Sequence, residues 1–367
     1  MKKTYNVGII GPGFIGRVHA YGYENLKYYY PEAPFRTRLF GVCSGREETL
    51  KKIQDDFRFS FSTTDFRALV NHPEIDMVDI CTPNILHREQ ILEAVKAGKH
   101  IYCEKPLVSC LDDSEAVMAA LKGFRQVHQL AFHNRFFPAS IKARELIDSG
   151  RLGEPVSFRI AYLHSGSLEK NKAMGWKQEE GAGVSLDLGS HIIDLIYFFW
   201  GEFSEISAST RILYPERMNK NGEKVKVKVE DYFSCSAKLK NGAEGHIEAS
   251  KIAAGTQDEM KYELYGTDGA LRYNSMQPNF LEYYSCKEEE SGFRHIPTVS
   301  RYKESTFPGP KFAVGWTRAH IHSIYNFISC VHENKKASPS FHEGHYNMKI
   351  LEAARLSEKK RAWIKTG

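Results

Sequence analysis

Val7-Gly8-Ile9-Ile10-Gly11-Pro12-Gly13-Phe14-Ile15-Gly16 decides the fold. Val7–Ile10 is a short apolar run that reads as a first β-strand, and Gly11-Pro12-Gly13 stops it. From Phe14 to Tyr30 the apolar residues return at helical spacing. Gly11, Gly13 and Gly16 therefore stand as G-x-G-x-x-G between a strand and a helix. Each has a physical reason: the first makes the tight turn, the second lets a pyrophosphate approach the backbone, and the third lets helix and strand pack closely. The backbone N–H groups of Phe14 and Ile15 open the helix and face such a phosphate. Six residues alone describe only a glycine turn; the strand–turn–helix context makes this one a dinucleotide cradle.

Downstream the same rhythm continues. Arg38–Cys43, Met77–Thr82 and His100–Cys103 read as strands, and Glu47–Asp56, Ile85–Ala97 and Asp112–Leu121 as helices, the last with Asp112 at its N-cap. Alternating short strands and helices imply a parallel sheet in βαβ units, a doubly wound Rossmann domain over residues 1–130. After Pro138 the pattern changes. A helix over Ile141–Ser149 leads to a strand over Val156–Leu163, and a second helix runs from near Leu186 to Trp200. Strands follow, including Tyr232–Leu239 and Ala243–Lys251 around Asn241-Gly242, a hairpin signal. Val225, Val227 and Val229 alternate with Lys224, Lys226 and Lys228, which places one wet face on the expected sheet. The fold class expected is α/β followed by α+β: residues 131–367 form a second domain around a large, mainly antiparallel sheet, closed by a helix over Asn347–Lys360 and a strand over Ala362–Lys365.

Composition narrows the function classes. Charged residues are 26% and the hydrophobic set 42% of 367 residues, the profile of a globular chain. Lys+Arg 50 against Asp+Glu 45 leaves +5, too small an excess to argue for nucleic acid or an anionic membrane. No stretch reaches the length of a membrane span. The seven cysteines form no CxxC pair and read as reduced thiols, so a cytoplasmic protein is expected.

Three further segments carry chemistry. Gly41-Val42-Cys43-Ser44-Gly45-Arg46 ends strand two, where an enzyme specific for NAD places an acid against the ribose 2′-hydroxyl. Ser44 stands there instead, with Arg46 beyond it; a hydroxyl and a guanidinium suit a 2′-phosphate, which tilts the reading toward NADP over NAD. Arg46 is equally the solvated start of a helix, and Glu47 and Glu48 oppose a phosphate. Glu104-Lys105-Pro106 puts a lysine at the carboxyl edge of a parallel strand, where open α/β sheets bind ligands. Within Gly181–Asp194, Asp187, His191 and Asp194 fall on one stripe of one helix, and Gly189 leaves room for a ligand. A histidine beside carboxylates suits a general base. The same spacing also describes a core histidine capped by Asp194 or half of a metal site, for which no third ligand is spaced nearby.

Taken in order, the glycine loop, Thr82-Pro83-Asn84 with His87, Glu104-Lys105-Pro106 and Asp187-x-x-x-His191 resemble the glucose-fructose oxidoreductase/inositol dehydrogenase (Gfo/Idh/MocA) family. The resemblance extends to the Tyr265-Gly266-Thr267-Asp268-Gly269 turn and the closing helix. It implies a pyridine-nucleotide oxidoreductase moving a hydride between a sugar, anhydrosugar or polyol carbon and the nicotinamide. By position Lys105, Asp187 and His191 match the catalytic trio: His191 as base, Lys105 polarising the same oxygen, Asp187 holding a neighbouring hydroxyl. Cofactor contacts implied are Gly11, Gly13, Phe14, Ile15, Gly16, Ser44, Arg46, Thr82, Pro83, Asn84, His87, Glu104 and Lys105. Substrate contacts implied are Lys105, Arg135, Trp176, Asp187 and His191, and no metal is expected. Arg135 lies in Phe132-His133-Asn134-Arg135-Phe136, where many relatives place an Asn ahead of an Arg-Phe pair; Trp176 is a sugar platform or a packing residue. The family commonly pairs second-domain sheets, so a homodimer or homotetramer is expected. Two other readings stay open on sequence alone: a non-catalytic regulator that binds nucleotide and sugar, and a glycosidase that keeps its NAD.

Overall fold

The structure is a computed structural model. It describes all residues except Met1, 176–180, Lys220, Lys303 and Thr306. By contacts it divides into two compact units, Met1–Phe136 with Tyr302–His345, and Phe137–Arg301 with Tyr346–Gly367.

In the first unit β1 (Lys3–Ile10), α1 (Phe14–Tyr29), β2 (Phe35–Cys43), α2 (Glu47–Asp56), β3 (Phe61–Thr63), α3 (Phe66–Val70), β4 (Met77–Ile80), α4 (His87–Lys96), β5 (His100–Cys103), α5 (Leu111–Ala120) and β6 (His128–Leu130) follow in turn. The sheet has the order β3-β2-β1-β4-β5-β6, with every pair parallel. Strand order reverses between β1 and β4, which opens a crevice at the carboxyl ends of the strands. β4 is buried at every residue, as a central parallel strand covered on both faces must be. Asp112 is not the N-cap of α5: Cys110 holds that place, and Asp112 and Asp113 sit in the first turn, where their charge suits the helix dipole.

The second unit opens with α6 (Pro138–Asp148), β7 (Pro155–Leu163), a π-helical turn over Ser185–Gly189, and α7 (Ser190–Trp200). The strands are β8 (Phe203–Arg211), β9 (Glu216–Met218), β10 (Lys224–Lys226), β11 (Tyr232–Leu239), β12 (Glu244–Ser250), β13 (Glu259–Gly266), β14 (Gly269–Asn274), β15 (Phe280–Ser285) and β16 (Arg294–Pro297). In chain order α8 (Trp316–Glu333), which belongs to the first unit, α9 (Phe341–Lys360), which begins in it, and β17 (Ile364–Lys365) follow. The nine-stranded sheet runs β16-β15-β14-β13-β7-β12-β11-β8-β17, antiparallel except for β7 with β12. The Asn241-Gly242 hairpin forms as expected, with Gly242 at φ +92°. The alternating lysines do not lie on this sheet: among the described residues β10, which carries Lys224 and Lys226, pairs with β9 in a separate two-stranded ribbon.

Tyr302–His345, which the sequence reading leaves in the second half, groups with the first unit. α8 packs on α1, and a Cβ at Gly22 would lie 2.7 Å from Ile324 Cδ1, so glycine sets how closely the helices approach. All seven cysteines are free. Among the described residues, no helix is long and apolar enough to cross a membrane.

Candidate functional site

The turn after β1 has the geometry its glycines require. Gly11 sits at φ +91°, and a Cβ there would lie 2.9 Å from the Cys81 backbone. At Gly16 a Cβ would press into the Gly11 carbonyl oxygen. Gly13 differs: its φ is −75°, open to any residue, and a Cβ there meets nothing within 4 Å. The protein itself gives no reason for glycine at this position. A ligand group approaching the backbone does, and Gly13 is also the N-cap of α1 with no side chain to occupy the helix's free N–H groups. Phe14, 76% exposed, and Ile15 are the first residues of that helix. The residues therefore fit a dinucleotide diphosphate.

Sheet order brings the other residues expected on the nucleotide side to neighbouring strand ends. Gly11 N–H donates to Cys43 O at 2.9 Å, and Cys81 N–H to Ile10 O at 2.8 Å, tying the loop to the ends of β2 and β4. Beyond β2, Ser44 Oγ accepts from Arg46 N–H at 3.4 Å, and Arg46 is exposed, followed by Glu47 and Glu48 in the first turn of α2. Beyond β4, Thr82 Oγ1 donates to Gln90 at 2.6 Å, Pro83 leads into a 3-10 turn, and Asn84 is buried. His87 is fully buried and faces backbone oxygens with both ring nitrogens: Thr82 at 2.9 Å, Pro106 at 3.1 Å and Leu107 at 3.2 Å. It braces the turns after β4 and β5, and burial holds its pKa below the usual imidazole value. Glu104 and Lys105 leave β5, and the Lys105–Pro106 bond is cis. Glu104 is buried, with its N–H donated to Ile80 O at 2.8 Å. Arg135, also buried, gives its guanidinium to Glu343 at 2.7 Å and Ser338 Oγ at 3.2 Å.

In the second unit Asp187 and His191 stand on the π turn and the start of α7, not on one regular helix. The wider turn has a cause. Gly183, at φ +113°, lets Glu230 close in, and Glu230 Oε1 then accepts from Ser185 N–H at 2.9 Å and from its hydroxyl at 2.5 Å. A single π turn inside a helix re-aims its side chains and is frequent at functional sites. The space above Gly189 is bordered by the Phe233 ring of β11, 3.5 Å from where a Cβ would stand, an ordinary packing contact. Lys251 Nζ lies 3.2 Å from Asp187 Oδ2 with both side chains nearly buried, at 4% and 11% exposed. His191 is buried with its ring 5.7 Å from that of Tyr162, and Asp194 is buried on the same helix. Trp176 lies outside the described residues.

Comparison with known proteins decides the family. Residues 5–132 match the model of the oxidoreductase family's NAD-binding Rossmann fold, and residues 144–366 that of its C-terminal alpha/beta domain. A levoglucosan dehydrogenase from Pseudarthrobacter phenanthrenivorans is 32% identical across 99% of this chain and 98% of its own. The chain belongs to the Gfo/Idh/MocA oxidoreductase family. A solved structure of a levoglucosan dehydrogenase in complex with NADH covers 100% of both chains with a TM-score of 0.96 and 32% identity. A myo-inositol 2-dehydrogenase from Thermotoga maritima is 25% identical over 97% of each chain.

For this oxidoreductase, sequence reasoning missed Lys251 and Tyr162. Lys251 was legible only as the last residue of an apolar-alternating strand, where a buried lysine demands a carboxylate partner. Tyr162 looked like one more core aromatic; its hydroxyl is held in the protonated form by burial and by the nearby Asp258 and Asp187 carboxylates.

Proposed function

We propose that this oxidoreductase is a dehydrogenase that oxidises a secondary hydroxyl of an anhydrosugar, sugar or polyol with a nicotinamide dinucleotide. The observation that carries the reading is the placement of its polar groups. A lysine leaves the carboxyl edge of the parallel sheet, and a carboxylate on the π turn and an imidazole at the start of α7 follow one another in the second unit, in a chain similar throughout to a levoglucosan dehydrogenase.

The bound nucleotide supplies the hydride acceptor, the nicotinamide C4. Gly11, Gly13, Gly16 and the N–H groups of Phe14 and Ile15 hold its diphosphate, and Thr82, Pro83 and Asn84 line the nicotinamide ribose. His191 takes the proton from the substrate hydroxyl, a task suited to an imidazole near neutral pH. Lys105 donates a hydrogen bond to the same oxygen and stabilises alkoxide character as it develops. Asp187, neutralised by Lys251, fixes an adjacent hydroxyl and so the orientation of the ring. His87 and Arg135 act behind these groups, His87 by bracing the strand-end turns and Arg135 through Glu343. The 2′-phosphate reading rests on Ser44 and Arg46, since neither supplies the carboxylate that a 2′-hydroxyl would bind. The second-unit sheet supports assembly as a homodimer or homotetramer, which light scattering resolves.

The test is reduction of NAD and NADP by purified protein over levoglucosan, inositols and aldoses, read as absorbance of the reduced nucleotide. Turnover with at least one, lost by about a thousandfold in Lys105→Ala while nucleotide affinity holds, supports the reading. A Lys105→Ala variant near wild-type turnover removes Lys105 from the mechanism, and binding without any reduction favours a regulator.

A further inference from the structure

Directly behind the Glu104-Lys105-Pro106 turn lies a polar cluster in which only Glu104 is an expected nucleotide contact. His19 extends from α1 and is completely buried. Its Nδ1 lies 3.0 Å from Asp79 Oδ2 on β4 and 3.2 Å from Cys81 Sγ. Its Nε2 lies 3.2 Å from Glu104 Oε1, off the line of a good hydrogen bond. One imidazole thus joins the helix after the glycine loop to the ends of two central strands. Packing alone would be served by a leucine, since a buried ion pair stabilises little over hydrophobic residues of the same size. Two carboxylates against one ring also fix its charge: an imidazole bonded to Asp79 through Nδ1 turns a lone pair toward Glu104 unless Nε2 is protonated too. Asp79 and Cys81 accordingly hold His19 well above the usual imidazole value against the opposing effect of burial. Tyr23 and Tyr102 face the same cluster and stay protonated. His320 on α8, with its ring 5.8 Å from that of His19, is kept neutral by burial and by the charges of His133, His19 and Lys105.

We propose that Asp79, His19 and Glu104 form a buried relay that fixes the turn carrying Lys105, making His19 and Glu104 positioning residues for the reaction. This rests on the reading of Lys105 as the residue that polarises the substrate oxygen. Asp79 is held by β4, His19 by α1, and Glu104 is the residue bonded to Lys105, so the relay converts three rigid elements into one aim for the ammonium group. Misplacement of a catalytic group by about 1 Å costs on the order of 100-fold in rate. His19, Glu104 and His320 also offer atoms within 4.8 Å of one another that could ligate a metal. Asp79 and Glu104 stand at opposite ring nitrogens of His19, the arrangement of a relay, and a metal at this place is an outcome of the test below.

The experiment combines a double-mutant cycle with nitrogen-15 NMR of histidine on the full chain. Glu104→Gln should lower kcat by about 10–100-fold while the nucleotide Kd moves less than about threefold. Combined with Lys105→Ala it should add nothing beyond Lys105→Ala alone, as residues acting through one another do. Asp79→Asn, which keeps shape, should repeat the effect if Glu104→Gln folds poorly. In the spectrum, His19 should carry protons on both ring nitrogens above about pH 7, and Glu104→Gln should move it to the neutral form. Multiplied losses in the double variant, an unchanged kcat in Glu104→Gln, a neutral His19 in the wild type, or one tightly bound divalent metal per chain would each overturn the relay. If Lys105→Ala retains activity while His19 is doubly protonated, the reading of Lys105 fails and the relay stands only as a structural brace.

Discussion

Substituting alanine at Gly13 and at Gly16 should give opposite phenotypes, although the two residues are three positions apart in one loop. At Gly13 a Cβ meets nothing within 4 Å and φ is −75°. Two small stability effects oppose each other there: alanine restricts the unfolded chain, worth about 0.4–1 kcal/mol, and is a poorer N-cap than glycine by a similar amount. Net stability should shift by less than about 1 kcal/mol. The added methyl occupies the space through which a diphosphate reaches the α1 N–H groups. Loss of one such charged hydrogen bond costs about 1.5–3 kcal/mol, which is a 10–100-fold rise in nucleotide Kd. At Gly16 the methyl would press into the Gly11 carbonyl, so the loop must move and overpacking should cost about 1–3 kcal/mol of stability. Denaturant unfolding paired with calorimetric titration of NADH separates the cases. Wild-type nucleotide affinity in Gly13→Ala would refute the argument that this glycine exists for the ligand.

Lys251→Met should remove the cation that lies 3.2 Å from the nearly buried Asp187 carboxylate, at a cost of about 3–5 kcal/mol. That should lower Tm by roughly 10 °C, partly restored in Asp187→Asn/Lys251→Met, whereas additive losses in calorimetry would mean the pair is not coupled. Arg46→Ala should weaken NADP at least about tenfold and leave NAD nearly unchanged; equal effects in titrations of both nucleotides retire the 2′-phosphate reading. Stability should also fall on acidification below about pH 6.5. Burial lowers His128 to about 4 and His322 to about 3 and depresses His87, His100 and His320, so the unfolded chain takes up more protons and unfolding gains. His19 acts with the opposite sign: its raised value adds stability that is present below the usual imidazole pKa and lost as pH rises through its folded pKa. A Tm flat between about pH 4 and pH 6.5 contradicts the histidine account.

The nucleotide half was legible because local chemistry and global position coincide there. The glycine loop follows a strand and opens a helix, and β5 and α2 have the bounds that periodicity implied. β3, α3 and β6 escaped because three to five residues cannot show a period. α8 escaped because Trp316, His320, His322 and Tyr325 blur the contrast between its buried and exposed faces. At the candidate site the strand end that carries Lys105 and the four-residue spacing of Asp187 and His191 are both visible in the sequence. The π turn beneath Asp187 was not, because it arises from Glu230 reaching Ser185 from a distant strand end. Lys251 and His19 act through partners far along the chain, and no local pattern reports such pairings.

Hydride transfer is tested by following the substrate hydrogen. Levoglucosan, or whichever polyol turns over, is deuterated at its ring carbons and incubated with the protein and oxidised nucleotide, and the products are examined by mass spectrometry and NMR. Hydride transfer from the substrate carbon should place one deuterium at C4 of the reduced nucleotide for each ketone formed, with the rate slowed by the heavier isotope. Reduced nucleotide without deuterium, or substrate cleaved with no net nucleotide reduction, would contradict it.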